Sequence, residues 1–202
     1  QIALIGPASG RLRIETAILR QGRSSTVVGV DATGDSGIAA RVIFTYAAAR
    51  ESAVRQDAPR APDVPGPDAC GNYFSGFSPG FAGNFDARLA AGTRPLAGGE
   101  PSMAIWVKHR EDGGDDVELS LLALADVPPP AAFITFPQPA PISTATWSID
   151  ISAPIGGAAG DWRLLTSTSE QAADGYSLQA MEMFDTAGRR IAVARQMVAI
   201  FA

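Results

Sequence analysis

Histidine and cysteine are almost missing from this chain: His109 and Cys70 are the single examples of each in 202 residues. That scarcity removes the commonest catalytic centres. Zinc sites draw mainly on several His and Cys ligands, so no metal site is expected. A Ser–His–Asp or Cys–His centre would have to use His109. His109 stands in WVKHREDGGDD, a charged stretch running into a Gly-Gly turn, where a solvated surface position is the commoner reading. One cysteine allows no internal disulfide and fits a reducing cytoplasm.

Cations are scarce too. There are 16 Lys and Arg against 21 Asp and Glu, for a net charge of −5. No basic stripe marks a nucleic-acid face. No apolar run reaches the roughly 18 residues a membrane-crossing helix needs, and no secretory leader is visible. The phosphate loop G-x-x-x-x-G-K-[ST] is absent, and no G-x-G-x-x-G follows a strand. The glycines of GNYFSGFSPGFAG are wrongly spaced for that role and read as a flexible aromatic loop. The chain opens on Gln1 rather than Met, which leads us to expect a start further upstream.

What is present suits a packed domain. Apolar residues make up 46% and charged residues 18%, a globular balance, and the length allows one large domain or two small ones. Alternation and β-branched content predict strands at RLRIETAIL, STVVGVDA and IAARVIFTYA, a meander over residues 1–50. Residues 51–79, rich in Pro, Gly, Asp and Ala, read as a linker. Strand signals return at FAGNFDARLAAG and SMAIWVKHR, then at STATWSIDISA, DWRLLTSTS, GYSLQAMEMFD and RIAVARQMVAIF. Between them a helix is predicted over 115–126, with Val117, Leu121, Leu124 and Ala125 on one apolar stripe. Asp115 and Asp116 favour its start, and Pro128–Pro130 stop it.

The halves resemble each other. GRLRIET at 10–16 matches GDWRLLT at 160–166, and Gly22 and Ser24 match Gly175 and Ser177. Ala40-Arg41 match Ala194-Arg195, and the offset stays between 150 and 154. Order and near-constant offset point to two copies of one α+β unit, with the second copy spanning 80–202. By that offset the first copy enters late, and about 60 residues, holding one or two strands and a helix, are expected ahead of Gln1.

A duplicated helix wrapped by a long antiparallel sheet is the double hotdog arrangement. LLALADVPPPAAF, ISTATWSIDIS and GRRIAVARQMVAIF resemble the helix, threonine strand and last strand of the acyl-CoA thioesterase II-like family. The resemblance is good over 81–202 and fair over 1–50. It implies a double hotdog fold whose first repeat lacks its N-terminal strand and helix. It also implies a metal-independent acyl-CoA thioester hydrolase, with CoA entering as part of the substrate rather than as a cofactor. Hotdog units pair sheets and helices, so assembly of copies is a further implication. By position the family's water-holding Asp, Thr and Gln fall on Asp126, Thr146 and Gln196.

The chemistry stands beside the analogy. A thioester needs no metal if water is positioned and a base takes its proton; Asp126 supplies the base, and Thr146 and Gln196 the hydrogen bonds. A backbone N–H near the helix is expected to polarise the carbonyl. Each residue also has a plainer reading: a solvated helix end for Asp126, the polar face of a strand for Thr146, beside Thr144, Ser148 and Asp150, and an edge position for Gln196. The repeat places Val42 opposite Gln196, so one copy alone carries the polar group. Trp106, Trp147, Trp162, Met181 and Met183 are expected in core or interface, and Arg41 and Arg195 in structural pairs. Two other functions remain open: a non-catalytic acyl-CoA or lipid binder, and a hydratase, which would want a His–Asp pair.

Overall fold

A computed structural model describes residues 1–75, 79–111, 116–152, 155 and 157–201. The alternating segments form strands because each divides its side chains between two sheet faces. The first half holds β1 (Ile2–Leu4), β2 (Arg13–Gln21), β3 (Ser25–Gly34) and β4 (Gly37–Ala47). After it come β5 (Gly71–Asn72), β6 (Phe85–Gly92), β7 (Ser102–His109), α1 (Val117–Ala125), β8 (Ile142–Ile151), β9 (Arg163–Ala173), β10 (Tyr176–Phe184) and β11 (Arg190–Ile200). Every expected strand is present. β1 and β5 were not expected, since two or three residues are too few to show a period.

The eleven strands among the described residues join one sheet, in the order β2-β3-β4-β1-β8-β11-β10-β9-β7-β6-β5. Every ladder in it is antiparallel. The seam between the halves is β1 against β8, with Ile2 opposite Trp147 and Ala3 opposite Thr146. The matched sequence segments fall at matching distances from that seam: Arg41 on β4 and Arg195 on β11 lie one strand outward on either side.

α1 begins at Val117, two residues later than predicted. Asp116 caps it, its side chain accepting the Leu119 N–H at 2.9 Å; Asp115 lies outside the described residues. Nine residues make a helix that is marginal in isolation, so packing must hold it. Ser120, Leu121, Leu124 and Ala125 are its buried residues. Its leucines meet Ile105, Val107, Leu165, Met183 and Ala192 of the sheet in one apolar cluster. Each such side chain contributes roughly 1.5–3 kcal/mol on full burial. No helix among the described residues is long and apolar enough to cross a membrane.

Two expectations change. Part of the segment read as a linker is packed, while 51–60 are exposed: the Trp106 Nε1–H donates to the Pro65 carbonyl at 2.8 Å, and Arg60 donates to the Ala187 carbonyl at 2.6 Å. Ala61, Val64 and Cys70 lie against Trp106, Leu164 and Phe184. In the expected flexible loop Tyr73 and Phe74 are buried in the main core, while 76–78 lie outside the described residues. Pro and Gly there signalled a lack of ladder bonds, which a strap on an apolar surface shares with a loose linker.

α1 covers the second half. On β1, β2 and β4 the same face carries Leu4, Ile14, Ile18 and Tyr46 exposed. The two sides should therefore answer differently to truncation. Leu124→Ala should lose about 2–5 kcal/mol, whereas Ile14→Ala, at a side chain already 58% exposed, should change stability by about 0.5 kcal/mol or less; urea unfolding of both variants checks this.

Candidate active site

Helix α1 ends at a short turn that faces the sheet. Asp126 is its last cap residue, with φ −93° and ψ 0°. The Val127 N–H closes the turn on the Leu124 carbonyl at 3.2 Å. Pro128, Pro129 and Pro130 then carry the chain away, with no N–H of their own. These residues form one wall of a pocket of about 320 Å³. Phe74, Phe81, Phe133 and Ile142 line it, and Thr144 and Gln196 enter from the sheet.

Asp126 opens to the mouth of this pocket, yet the walls remove enough water from its carboxyl to raise its pKa above the ordinary carboxylate value. Desolvation is the cause. Opposite it, Gln196 is 8% exposed, and its Nε2–H donates to Thr144 Oγ1 at 2.9 Å. Asp126 and Gln196 thus meet in one pocket. Thr146 does not join them.

A β-bulge separates the two threonines. Gln196 lies opposite Trp147 and Met197 opposite Thr146, but Val198 lies opposite Thr144. Ala145 is therefore an extra residue on β8, and the alternation resets there. Cross-strand partners share a face, so Thr144 stands with Val198 and Gln196, facing α1. Thr146 stands with Met197 on the other face. The expectation that the two threonines share a face fails for this reason, and Thr144 occupies the position read for Thr146. One extra residue leaves no mark in composition or in a strand's average period.

Thr146 instead lines a cavity of about 490 Å³ with Arg41, Ser148 and Arg195, which Gln196 also borders. That cavity has no carboxylate in its lining. Its arginines are occupied: Arg41 pairs with both oxygens of Asp31 at 2.6 and 2.7 Å, and Arg195 with both of Glu170. A water there would find no base. His109 is half-buried rather than solvated, its Nε2 3.3 Å from the Ser120 carbonyl oxygen and its ring against Phe85; it does not line the pocket. The aromatic walls were missed by the sequence reading, which treated the loop at 71–83 as flexible.

A family model for the acyl-CoA thioesterase C-terminal domain matches residues 55–200. No curated protein sequence matches the chain. A hot dog fold protein from Alicyclobacillus acidocaldarius superposes with a TM-score of 0.84 at 20% identity, over 100% of this chain and 77% of that one. For an acyl-CoA thioesterase II from Mycobacterium marinum the values are 0.73, 19%, 100% and 79%. At these identities the structural likeness establishes a hotdog fold and nothing finer.

The raised pKa of Asp126 has a consequence for stability. The folded state holds the proton more tightly than the unfolded chain, so ionising Asp126 opposes folding as pH rises through and above the ordinary carboxylate value. Asp126→Asn keeps the shape without the charge. Its melting temperature should exceed that of the parent at pH 7, and the gap should close as pH falls toward about 4. Equal melting temperatures at both pH values would remove the desolvation argument.

Proposed function

The chain belongs to the acyl-CoA thioesterase C-terminal domain family, and from that premise we propose that it hydrolyses acyl-CoA thioesters with water, releasing a free acid and CoA. The observation that carries this reading is the shared pocket of Asp126, Thr144 and Gln196, with the last two joined by a hydrogen bond. The sheet order, mirrored about the β1–β8 seam, supports a reading of two hotdog repeats with the site in the second.

The chemistry follows from the donors and acceptors present. Asp126 takes a proton from the attacking water as the water oxygen bonds to the thioester carbonyl carbon. After its bond to Thr144, Gln196 keeps one N–H and its amide oxygen; Thr144 keeps its O–H. These groups orient the water and stabilise the developing oxyanion. Pro128–Pro130 offer no backbone donor, and among the described residues the polar side chains lining the pocket besides Asp126 are Thr144 and Gln196. Collapse of the tetrahedral intermediate breaks the C–S bond, and the proton held on Asp126 passes to the sulfur. The raised pKa makes the ionised Asp126 a stronger base. The acyl group lies against Phe74, Phe81, Phe133 and Ile142, in a pocket of ordinary ligand size, and the CoA portion lies toward solvent.

The charge balance of the pocket argues against a mere binder. Among the described residues its one ionisable lining side chain is a carboxylate, which repels an anionic ligand and adds nothing to its retention. A hydratase is disfavoured because His109 is engaged at Ser120, away from Asp126.

The test is thiol release from a panel of acyl-CoAs. Asp126→Asn should lower kcat by about 10²- to 10⁴-fold. Thr144→Val should cost roughly tenfold or more, while Thr146→Val stays near the parent rate. The rate should fall on the acid side through an apparent pKa above the usual carboxylate value. Binding without thiol release at any chain length would leave the binder, and Thr146→Val acting in place of Thr144→Val would overturn the assignment on β8.

A further inference from the structure

We propose that Gln179 is a positioning residue for this site, a buried amide that fixes the proline wall carrying Asp126 against the strand carrying Gln196. The inference rests on the catalytic reading above and adds to it a residue outside the reacting pocket's donors.

Gln179 is 1% exposed on β10 and lies directly opposite Gln196 in the β10–β11 ladder. Adjacent side chains on one face stand about 5 Å apart at Cβ, so the two glutamines are neighbours. Their tasks differ. Gln196 turns to Thr144. Gln179 Oε1 accepts the Ala131 N–H at 3.0 Å, and its Nε2–H donates to Ser177 Oγ. Ser177 Oγ is 2.9 Å from Ser169 Oγ. Both ends of the amide are thereby engaged, and the chain of bonds crosses β9 and β10.

The anchor point follows from the sequence of the wall. After the Val127 N–H there is no backbone donor until Ala131, because the three intervening residues are prolines. Ala131 opens a short helical turn over Ala131–Thr135, so its N–H has no partner within that turn. The residue is fully buried, and a buried N–H without an acceptor is strongly disfavoured. Gln179 provides that acceptor. The wall is therefore held at two points: by α1 before the prolines and by Gln179 after them. Between those points lie Asp126 and the pocket lining. Displacing the second point moves the carboxylate relative to Thr144 and Gln196, and misplacement near 1 Å in a water-attack geometry is enough to lower turnover strongly.

The experiment compares Gln179→Leu, Gln179→Glu and Ser177→Ala with the parent and with Asp126→Asn. It measures kcat and KM separately, and amide hydrogen exchange at Ala131. Gln179→Leu should lower kcat roughly 10- to 100-fold with KM little changed, and should lose protection at Ala131. Gln179→Glu keeps an oxygen acceptor for Ala131 and should restore most of kcat. Ser177→Ala, which frees one end of the amide, should give a smaller loss and serves if Gln179→Leu fails to fold. Parent-like kcat in folded Gln179→Leu or in Ser177→Ala, or a Gln179→Glu variant no better than Gln179→Leu, overturns the proposal while leaving the catalytic reading intact. Parent-like hydrolysis by Asp126→Asn overturns the catalytic reading, and the positioning role falls with it.

Discussion

The burial of one short helix against the second half of the sheet is the constraint on which the rest depends. α1 is too short to persist alone. Leu121 and Leu124 hold it by entering a cluster built from β7, β9, β10 and β11. That packing sets the height of the helix above the sheet, and the height decides where its last residue falls. Asp126 reaches the pocket because the apolar stripe ends one residue earlier and the prolines allow no continuation.

The site then arises from two departures from regular structure, one on each side of the gap. On the helix side, the regular backbone stops and a proline run follows. On the sheet side, an extra residue in β8 resets the alternation, so Thr144 rather than Thr146 faces α1. Regular elements alone would leave a carboxylate at a helix end and a threonine on the wrong face. Two buried glutamines, adjacent in the β10–β11 ladder, connect the irregular pieces: Gln196 holds Thr144, and Gln179 holds Ala131. Both ends of the Gln179 amide find partners, as buried amides ordinarily do, whereas Gln196 is bonded to Thr144 through one N–H.

On the proposed reading, function and stability oppose each other at Asp126. A cation beside it would lower its pKa and stabilise the fold, but would also weaken it as a base. Desolvation without a cation has the reverse effect on each count. The other cavity shows the contrast: its arginines are matched by Asp31 and Glu170, which is how charges on a sheet face are ordinarily satisfied.

Sequence by itself determined the strands and the helix, which are local properties: β10 alternates, α1 carries a stripe, Pro128 stops a helix, and each can be read within a dozen residues. The likeness of the halves needed a comparison across about 150 residues, and Asp126 and Gln196 were singled out by the family resemblance rather than by any local pattern. The proline and glycine content of 51–79 was ambiguous, since a packed strap and a loose linker share it; the Trp106–Pro65 bond distinguishes them. Only the tertiary structure shows which threonine faces α1. The register of β8 against β11 is a pairing between segments some fifty residues apart, and the extra residue at Ala145 exists only in that pairing. The role of Gln179 was hidden for the same reason: its partner, the Ala131 N–H, is 48 residues away in sequence, and becomes a constraint only when burial removes the water that would otherwise accept its hydrogen.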